Sequence, residues 1–202
     1  MMRIVLAVVL SYLLGGILFG ELIALISRVD VRKKGSGNPG ATNVYRILGP
    51  LFGLIVLVGD ALKGIIGSMI GGWLGVPEIA PWCGLAVIAG HNWPLQFNFR
   101  GGKGIATSFG TIIVLAPETL LILIPLWIIT LVLSGYVSLS SMVAALGLPL
   151  SCLILYPGET NLLIYATLAC ALAIFRHRAN IQRIINGTEN KILRKKAKED
   201  HK

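Results

Sequence analysis

Long apolar stretches between short polar loops are the feature that most restricts how this chain of 202 residues folds. Hydrophobic residues make up 55% of the chain and charged residues only 13%, whereas soluble domains carry about 25% charged residues. A chain of this length buries only about 60–70% of the surface that it exposes when unfolded, so one water-soluble core cannot hide so much apolar surface. The composition excludes a soluble enzyme core, a disulfide scaffold and a disordered chain, and it predicts an all-α integral membrane protein.

The apolar segments predict seven transmembrane helices, of which the shorter ones need support from their neighbours to cross a bilayer. They lie at about 4–26, 48–73, 80–97, 104–116, 119–134, 138–156 and 161–176. We divide the stretch 104–134 at Pro117 because one helix there would be about 46 Å long, against a hydrocarbon core of roughly 30 Å. Residues 1–187 are assigned to a single membrane domain and residues 188–202 to a basic cytoplasmic tail.

Basic residues are concentrated in three segments, 28–46, 98–104 and 176–202, which hold five, two and nine of the 18 lysines and arginines. The connections near 74–80, 117–118 and 157–160 contain no basic residue. Because basic loops stay in the cytoplasm, the N-terminus is predicted to lie outside the cell and the C-terminus inside. The net charge of +9 is therefore interpreted as an orientation signal and not as a nucleic-acid-binding signal.

The first basic segment contains the glycine-rich sequence GSGNPGATNVYR at residues 35–46. Its glycines permit positive φ angles, at which successive backbone N–H groups point into one concavity. The loop leads into the second predicted helix, with Thr42 or Asn43 as its cap and Arg46 one turn further on. Free amides, a helix dipole and a guanidinium group together form an anion site. The alternative, a flexible connector, remains open.

Two further cytoplasmic segments carry polar residues of the types that bind anions or take part in catalysis. The turn GGKG at residues 101–104 opens another predicted helix and adds Lys103, although it lacks the spacing of a Walker A loop. In the last segment, helical spacing places His177 and Asn180 on one stripe with apolar residues, at the water boundary. A plain turn and an amphipathic tail lying on anionic lipid are the respective alternatives. The serines at the start of the sixth predicted helix, Ser138, Ser140 and Ser141, are interpreted as caps.

Inside the predicted spans, Asp60 and Lys63 lie three residues apart on one helix face. Charge within a membrane is costly, so this pair either ties the bundle together, which we favour, or marks a function. His91 is interpreted as a satisfied interfacial histidine. The three cysteines lie in apolar sequence without clustered partners, so they are predicted to be small buried hydrophobes, and no metal site is expected.

Several catalytic devices are missing from the sequence. It contains no G-x-S-x-G elbow, no histidine followed five residues later by aspartate, and no carboxylate cluster suited to Mg²⁺. These absences argue against a covalent serine intermediate, a His–Asp acid–base pair and nucleotide-dependent phosphotransfer.

The segments at 35–46, 101–104 and 177–189 match, in order and spacing, three cytoplasmic signatures of a known family. The chain resembles the PlsY family of bacterial membrane acyl-phosphate:glycerol-3-phosphate acyltransferases over nearly all of its length before the basic tail. One departure is Ala179, where the family commonly has glutamate. The resemblance implies transfer of a fatty acyl group from acyl phosphate to the sn-1 hydroxyl of glycerol 3-phosphate, which yields lysophosphatidic acid and phosphate, the first step of phospholipid synthesis. It also implies location in the inner membrane, a cytoplasmic active site and no cofactor.

On this hypothesis Lys103, Arg46 and His177 are catalytic, and the base is either His177 or the phosphate of the acceptor. A soluble enzyme that makes acyl phosphate is a candidate partner, besides membrane lipid. A small transporter or flippase for a phosphorylated metabolite is the alternative, although transporters usually place their sites near the midplane. The predicted substrate-binding residues are Ser36, Gly37, Asn38, Gly40, Thr42, Asn43, Gly102, Gly104, Ser141 and Asn180.

Overall fold

The computed structural model describes residues 1–192, in which α-helices and three short 3-10 turns are joined by loops and no strand occurs. Residues 193–202, most of the predicted basic tail, lie outside the described residues. The helices are α1 Met2–Gly15, α2 Phe19–Ile26, α3 Ala41–Leu48, α4 Pro50–Trp73, α5 Ala80–Asn92, α6 Ile105–Leu115, α7 Leu120–Ser134, α8 Val137–Leu155, α9 Thr160–Arg176 and α10 Arg178–Ile185.

Each of the seven predicted membrane segments contains a helix in the structure. Four segments are long and apolar enough to cross a bilayer by length and composition alone: Met2–Ile26, Pro50–Trp73, Pro117–Ser134 and Val137–Leu155. A fifth is added if α9 and α10, which meet at an angle of 54°, count as one bent span. The predicted interruption at Pro117 is present, since α6 ends at Leu115 and α7 begins at Leu120.

One predicted helix limit is wrong, and two other predicted segments contain a break. The segment 4–26 contains two helices, α1 and α2, although Met2–Ile26 as a whole is one candidate span. The segment 80–97 ends as a helix at Asn92, because Trp93 precedes Pro94 and the residue before a proline is disfavoured in the α conformation. The chain around residue 48 forms two helices, because Gly49 adopts φ +93° and Pro50 begins α4.

The cap predicted for the helix after the first basic loop is also wrong. Helix α3 begins at Ala41 with Gly40 as its N-cap and has no side-chain capping hydrogen bond, so neither Thr42 nor Asn43 caps it. None of the three serines caps α8, whose N-cap is Tyr136. Ser140 and Ser141 instead donate to backbone oxygens four residues earlier in the chain.

Close contact between α4 and α6 shapes the centre of the bundle. A Cβ added at Gly110 would collide with the carbonyl oxygen of Ala61, and one added at Gly64 would collide with that of Thr107. Small residues at such positions let backbones approach closely in membrane proteins. A core around the buried Tyr165 joins α5, α6, α7, α8 and α9. Helix α4 packs against both α5 and α6.

The expected ion pair in α4 is present, and it also supports the break in the first span. Lys63 Nζ lies 2.9 Å from Asp60 Oδ1. The same ammonium donates to the carbonyl oxygens of Gly15 and Ile17 at 2.9 and 2.6 Å. Those carbonyls have lost their helical partners where α1 ends, so Lys63 satisfies groups that lipid could not.

Candidate active site

A cavity of about 490 Å³ brings residues from all three basic segments together. Its polar end is formed by residues at helix ends and in loops, among them Ser36, Arg46, Lys103, His177 and Asn180. One to three turns further along α6, α7, α8 and α9, the lining is apolar and includes Ile112, Leu123, Ala145, Leu148 and Ala169. Such a cavity suits an amphipathic molecule with an anionic head and an apolar chain.

All the predicted site residues except Gly37 and Gly102 line this cavity. Both exceptions shape the loops behind it. Gly37 adopts φ +70°, a conformation that glycine takes without strain, as the sequence predicted for this loop. The cavity is also lined by Asp60, His91, Ser138 and Glu189, none of which was predicted as a site residue.

Asn43 organises the first basic loop from a buried position. Its Oδ1 accepts a hydrogen bond from the backbone N–H of Ser36 at 2.8 Å, and its Nδ2 donates to the carbonyls of Val31 and Lys34. The side chain predicted to bind substrate is therefore occupied by the loop itself. Through this hydrogen bond Asn43 holds Ser36 in position at the wall of the cavity.

Arg46 connects the first basic segment with the third. It lies one turn into α3, and its Nη2 donates to the carbonyl of Asn190 at 3.0 Å. One edge of the guanidinium is thereby fixed, while the side chain still lines the cavity. A fixed planar guanidinium is well suited to binding phosphate oxygens.

The peptide groups of Gly101 and Gly102 are fully engaged, which explains why this turn does not open to the cavity. Their N–H groups donate to the carbonyls of Asn92 and His91 at 3.2 and 3.0 Å. Their own carbonyls accept from Arg176 at 2.8 and 2.9 Å. Gly102 therefore has no free backbone group to offer a ligand, whereas the N–H groups in the first turn of α6 lack helical partners.

Lys103 projects from this turn into the polar end of the cavity, where it is partly buried. Burial lowers the pKa of Lys103 to about 8, with smaller contributions from Glu189, which raises it, and from nearby arginines, which lower it. Within residues 1–192 the ammonium group has neither an ion-pair partner nor a hydrogen bond. An anionic ligand would supply the missing partner.

His177 lies just past the end of α9 and is buried. Its Nδ1 is 2.8 Å from the carbonyl oxygen of Ala173, and because a carbonyl only accepts, Nδ1 carries the proton. Burial and the neighbouring Lys103 lower the pKa of His177 to about 4. The ring is therefore neutral at pH 7, and its Nε2 is a hydrogen-bond acceptor.

Glu189 lines the cavity and was not predicted as a site residue, although it is the last residue of the third signature. Its Oε1 accepts from Ser138 Oγ at 2.8 Å and from Asn180 Nδ2 at 2.7 Å, and its Oε2 pairs with Arg183 at 2.7 Å. Burial opposes ionisation, but these hydrogen bonds hold the pKa of Glu189 below its usual value. With Nδ2 engaged, Asn180 Oδ1 is left buried without a partner among residues 1–192.

Ser141 lines the cavity beside α7. Its Oγ donates to the carbonyl of Val137 at 2.9 Å and accepts from Trp127 Nε1 at 3.3 Å.

The three cysteines are buried, as predicted. Among the described residues 1–192, no three His, Cys, Asp or Glu side chains come together in a way that would hold a metal ion.

The protein has apolar helices of spanning length and a cavity that is cationic at one end and apolar along its depth. These two features define an integral membrane protein with an anion-attracting site. A family model described as glycerol-3-phosphate acyltransferase matches residues 5–187. The chain belongs to this family, and it is an acyltransferase.

Curated relatives agree over almost the whole chain. The glycerol-3-phosphate acyltransferase of Desulforamulus reducens is 44% identical over 194 residues, covering 95% of this chain and 96% of the relative. That of Geobacillus kaustophilus is 42% identical over 188 residues, covering 93% of this chain and 95% of the relative.

Solved structures share the fold as well. The crystal structure of PlsY (YgiH), an integral membrane glycerol 3-phosphate acyltransferase, in its glycerol 3-phosphate form is 39% identical with a TM-score of 0.87, covering 93% of this chain and 94% of that one. The lysophosphatidic acid form of that protein is 38% identical with a TM-score of 0.85 and the same coverage.

Proposed function

We propose that this protein transfers a fatty acyl group from acyl phosphate to the sn-1 hydroxyl of glycerol 3-phosphate, giving lysophosphatidic acid and phosphate. The observation that carries the proposal is the convergence of three distant basic segments at one end of an apolar cavity. Both substrates contain phosphate, and one of them also carries an acyl chain. The names of the relatives, and the glycerol 3-phosphate and lysophosphatidic acid forms of the solved structures, support the acceptor and the product.

We place the acyl phosphate donor in the cavity with its phosphate at the polar end and its acyl chain along the apolar part. Its acyl chain would lie among the apolar side chains of α6 to α9. Its phosphate would contact Lys103, Arg46, Ser36 and the first turn of α6. In the reaction the acceptor hydroxyl oxygen attacks the acyl carbonyl carbon, and the bond from that carbon to the phosphate oxygen breaks. Phosphate is already a good leaving group, so fixed cations that stabilise its growing charge supply the electrostatic part of the catalysis.

The acceptor hydroxyls would lie against His177 and Asn180. His177 Nε2 and Asn180 Oδ1 are both hydrogen-bond acceptors, which suits them to orient hydroxyl groups. The hydroxyl proton passes to a base as the new ester bond forms. With a pKa of about 4, His177 is a weak base at neutral pH, so we favour the phosphate of the acceptor in that role. Orientation of the two substrates supplies the rest of the rate enhancement.

The proposal includes the seven-span topology, with the N-terminus outside, the C-terminus inside and the active site on the cytoplasmic face of the inner membrane. The basic loops support it, because the cationic end of the cavity is built from those loops. The shorter helices α5 and α6 would cross with the support of α4, against which both pack. A soluble enzyme that makes acyl phosphate and membrane lipid are the expected partners.

Purified protein tests the reaction directly. Incubated with acyl phosphate and labelled glycerol 3-phosphate, without metal, coenzyme A or carrier protein, it should form lysophosphatidic acid. Arg46→Ala and Lys103→Ala should each lower kcat/KM at least about a hundredfold, as loss of a donor to a developing oxyanion does. Lys33→Ala is the matched control, because that lysine lies in the first basic loop but is exposed and paired with Asp30.

Near-normal turnover by either site variant would contradict the assignment. The transporter alternative makes a different forecast: liposomes containing the protein would accumulate labelled glycerol 3-phosphate without any acyl donor. Its main sequence support, the charged pair in α4, now has a structural explanation in the carbonyls of Gly15 and Ile17.

A further inference from the structure

The buried ion pair of α4 extends to α5 through a histidine. Lys63 Nζ lies 2.8 Å from His91 Nδ1, in addition to its contacts with Asp60 and with the carbonyls of Gly15 and Ile17. An ammonium group has three N–H donors. The two carbonyls and His91 Nδ1 accept these three, while the carboxylate of Asp60 balances the charge at 2.9 Å.

This arrangement determines which nitrogen of His91 carries the proton. Because an ammonium group only donates, Nδ1 is the acceptor and the hydrogen is on Nε2. The Nε2 edge of the ring is pressed against Gly102. A Cβ added at Gly102 would collide with Nε2, and the three atoms nearest to that Cβ all belong to the imidazole ring.

The same residue also holds the turn through its backbone. The carbonyl of His91 accepts from Gly102 N–H, and the carbonyl of Asn92 accepts from Gly101 N–H. Arg176 binds the opposite edge of the turn. Lys103 is the next residue along the chain, so the position of its side chain depends on this clamp.

We propose that His91 is a positioning residue for acyl transfer: its ring, fixed by Lys63, holds the Gly101–Gly102 turn so that Lys103 stays in the polar end of the cavity. This inference rests on the proposed function, which gives that end to the phosphate of the donor. His91 acts through Lys103 and needs no contact with substrate.

A buried polar contact between α1 and α4 provides a matched control. Ser11 Oγ of α1 lies 2.8 Å from the carbonyl oxygen of Ala7 and 3.0 Å from that of Gly67 in α4, so its single hydrogen is shared between them. Like Lys63, it links α1 to α4, but it touches no part of the turn. Ser11→Ala should lower thermal stability without affecting Lys103. His91→Asn retains an acceptor for Lys63 near the position of Nδ1 and removes the edge of the ring that touches Gly102.

Competitive labelling of lysines with acetic anhydride, read by mass spectrometry across a pH series, measures the titration of Lys103 without any turnover. In the unmodified protein we expect a midpoint at about pH 8. In His91→Asn the freed side chain becomes hydrated, and the midpoint should rise by about one pH unit. Ser11→Ala should keep the original midpoint. An unmoved midpoint in His91→Asn overturns the proposal.

A double-mutant cycle tests the contact from the other side. Gly102→Ala alone should lower kcat/KM at least about tenfold, because small displacements of a catalytic group are costly. In the His91→Asn background the added methyl has room, so the double variant should be no worse than His91→Asn. Additive losses would contradict the proposal.

If His91→Asn does not fold, an unchanged Lys103 midpoint in Gly102→Ala overturns it equally. Absence of lysophosphatidic acid synthesis by the unmodified protein contradicts the proposed function instead, since the labelling requires no reaction.

Discussion

Replacing Lys103 with methionine should raise the thermal stability of the protein while removing the activity that we propose for it. The ammonium group is partly buried and has no ion-pair partner within residues 1–192, so the folded state carries a charge in a place that disfavours it. Methionine has a similar length and no charge, so it fills the same space at no electrostatic cost. A group that serves a ligand is often destabilising in its absence.

The size of the effect follows from the pKa of Lys103, which burial lowers from 10.5 to about 8. At about 1.4 kcal/mol per pKa unit, this corresponds to a penalty of about 3.5 kcal/mol as an upper bound. Below pH 8 both the folded and the unfolded states hold the proton, so the whole penalty is present. Between pH 8 and 10.5 the folded protein loses its proton first, and the penalty disappears as the pH rises.

Thermal unfolding of purified protein in detergent, with and without the substitution, measures this directly. At pH 7 we expect Lys103→Met to melt on the order of 5 °C higher, and the advantage should shrink towards pH 10. Lys63→Met is the control, because removing that lysine leaves Asp60 and two carbonyls without a partner, which should cost about 3–5 kcal/mol. A melting temperature below that of the unmodified protein for Lys103→Met at pH 7 would refute the reasoning.

Three further outcomes follow from the site. The kcat/KM for acyl phosphate should fall about tenfold per pH unit above pH 8, because Lys103 in the free enzyme loses its charge there. Lys103→Arg should move this fall beyond pH 10. A flat profile to pH 10 in the unmodified protein would exclude Lys103 as a donor-binding cation. His177→Gln should mainly raise the KM for glycerol 3-phosphate if the acceptor phosphate is the base, whereas a loss confined to kcat would identify His177 as the base. Asn43→Ala should destabilise the protein by about 1–3 kcal/mol and lower donor use together, because it leaves the Ser36 N–H unpaired; full activity with normal stability would show that Asn43 does not organise the loop.

The sequence was sufficient where the governing physics is local. Hydropathy located the apolar helices, and the interruption at Pro117 followed from helix length. Residue chemistry also selected Arg46, Lys103 and His177, which the structure places around one cavity. Each is a charged or titratable side chain at the end of an apolar segment, and such a position is expensive to occupy without a reason.

The sequence was insufficient where a residue is defined by its partners. Asn43 has the residue type of a cap and of a ligand-binding group. Only the contacts with Val31, Lys34 and Ser36 reveal that it organises the loop and does not cap α3. Glu189 follows a glycine turn in a basic segment, so its contacts with Ser138 and Asn180 depend on how α8 meets α10. Tertiary contacts of this kind leave no periodic signal in a single chain.

The buried Lys63 and the partly buried Lys103 have different roles. Lys63 donates to two carbonyls and an imidazole and neutralises a carboxylate, so it has no capacity left for a ligand. Lys103 sits beside the same network, supported by His91 through the Gly101–Gly102 turn, yet within residues 1–192 it meets no acceptor of its own. A partly buried cation without a partner costs stability, and a bound anion would supply that partner. Lys63, whose partners are all within the protein, instead fixes the structure beside Lys103, so that Lys103 is held in place for the anion.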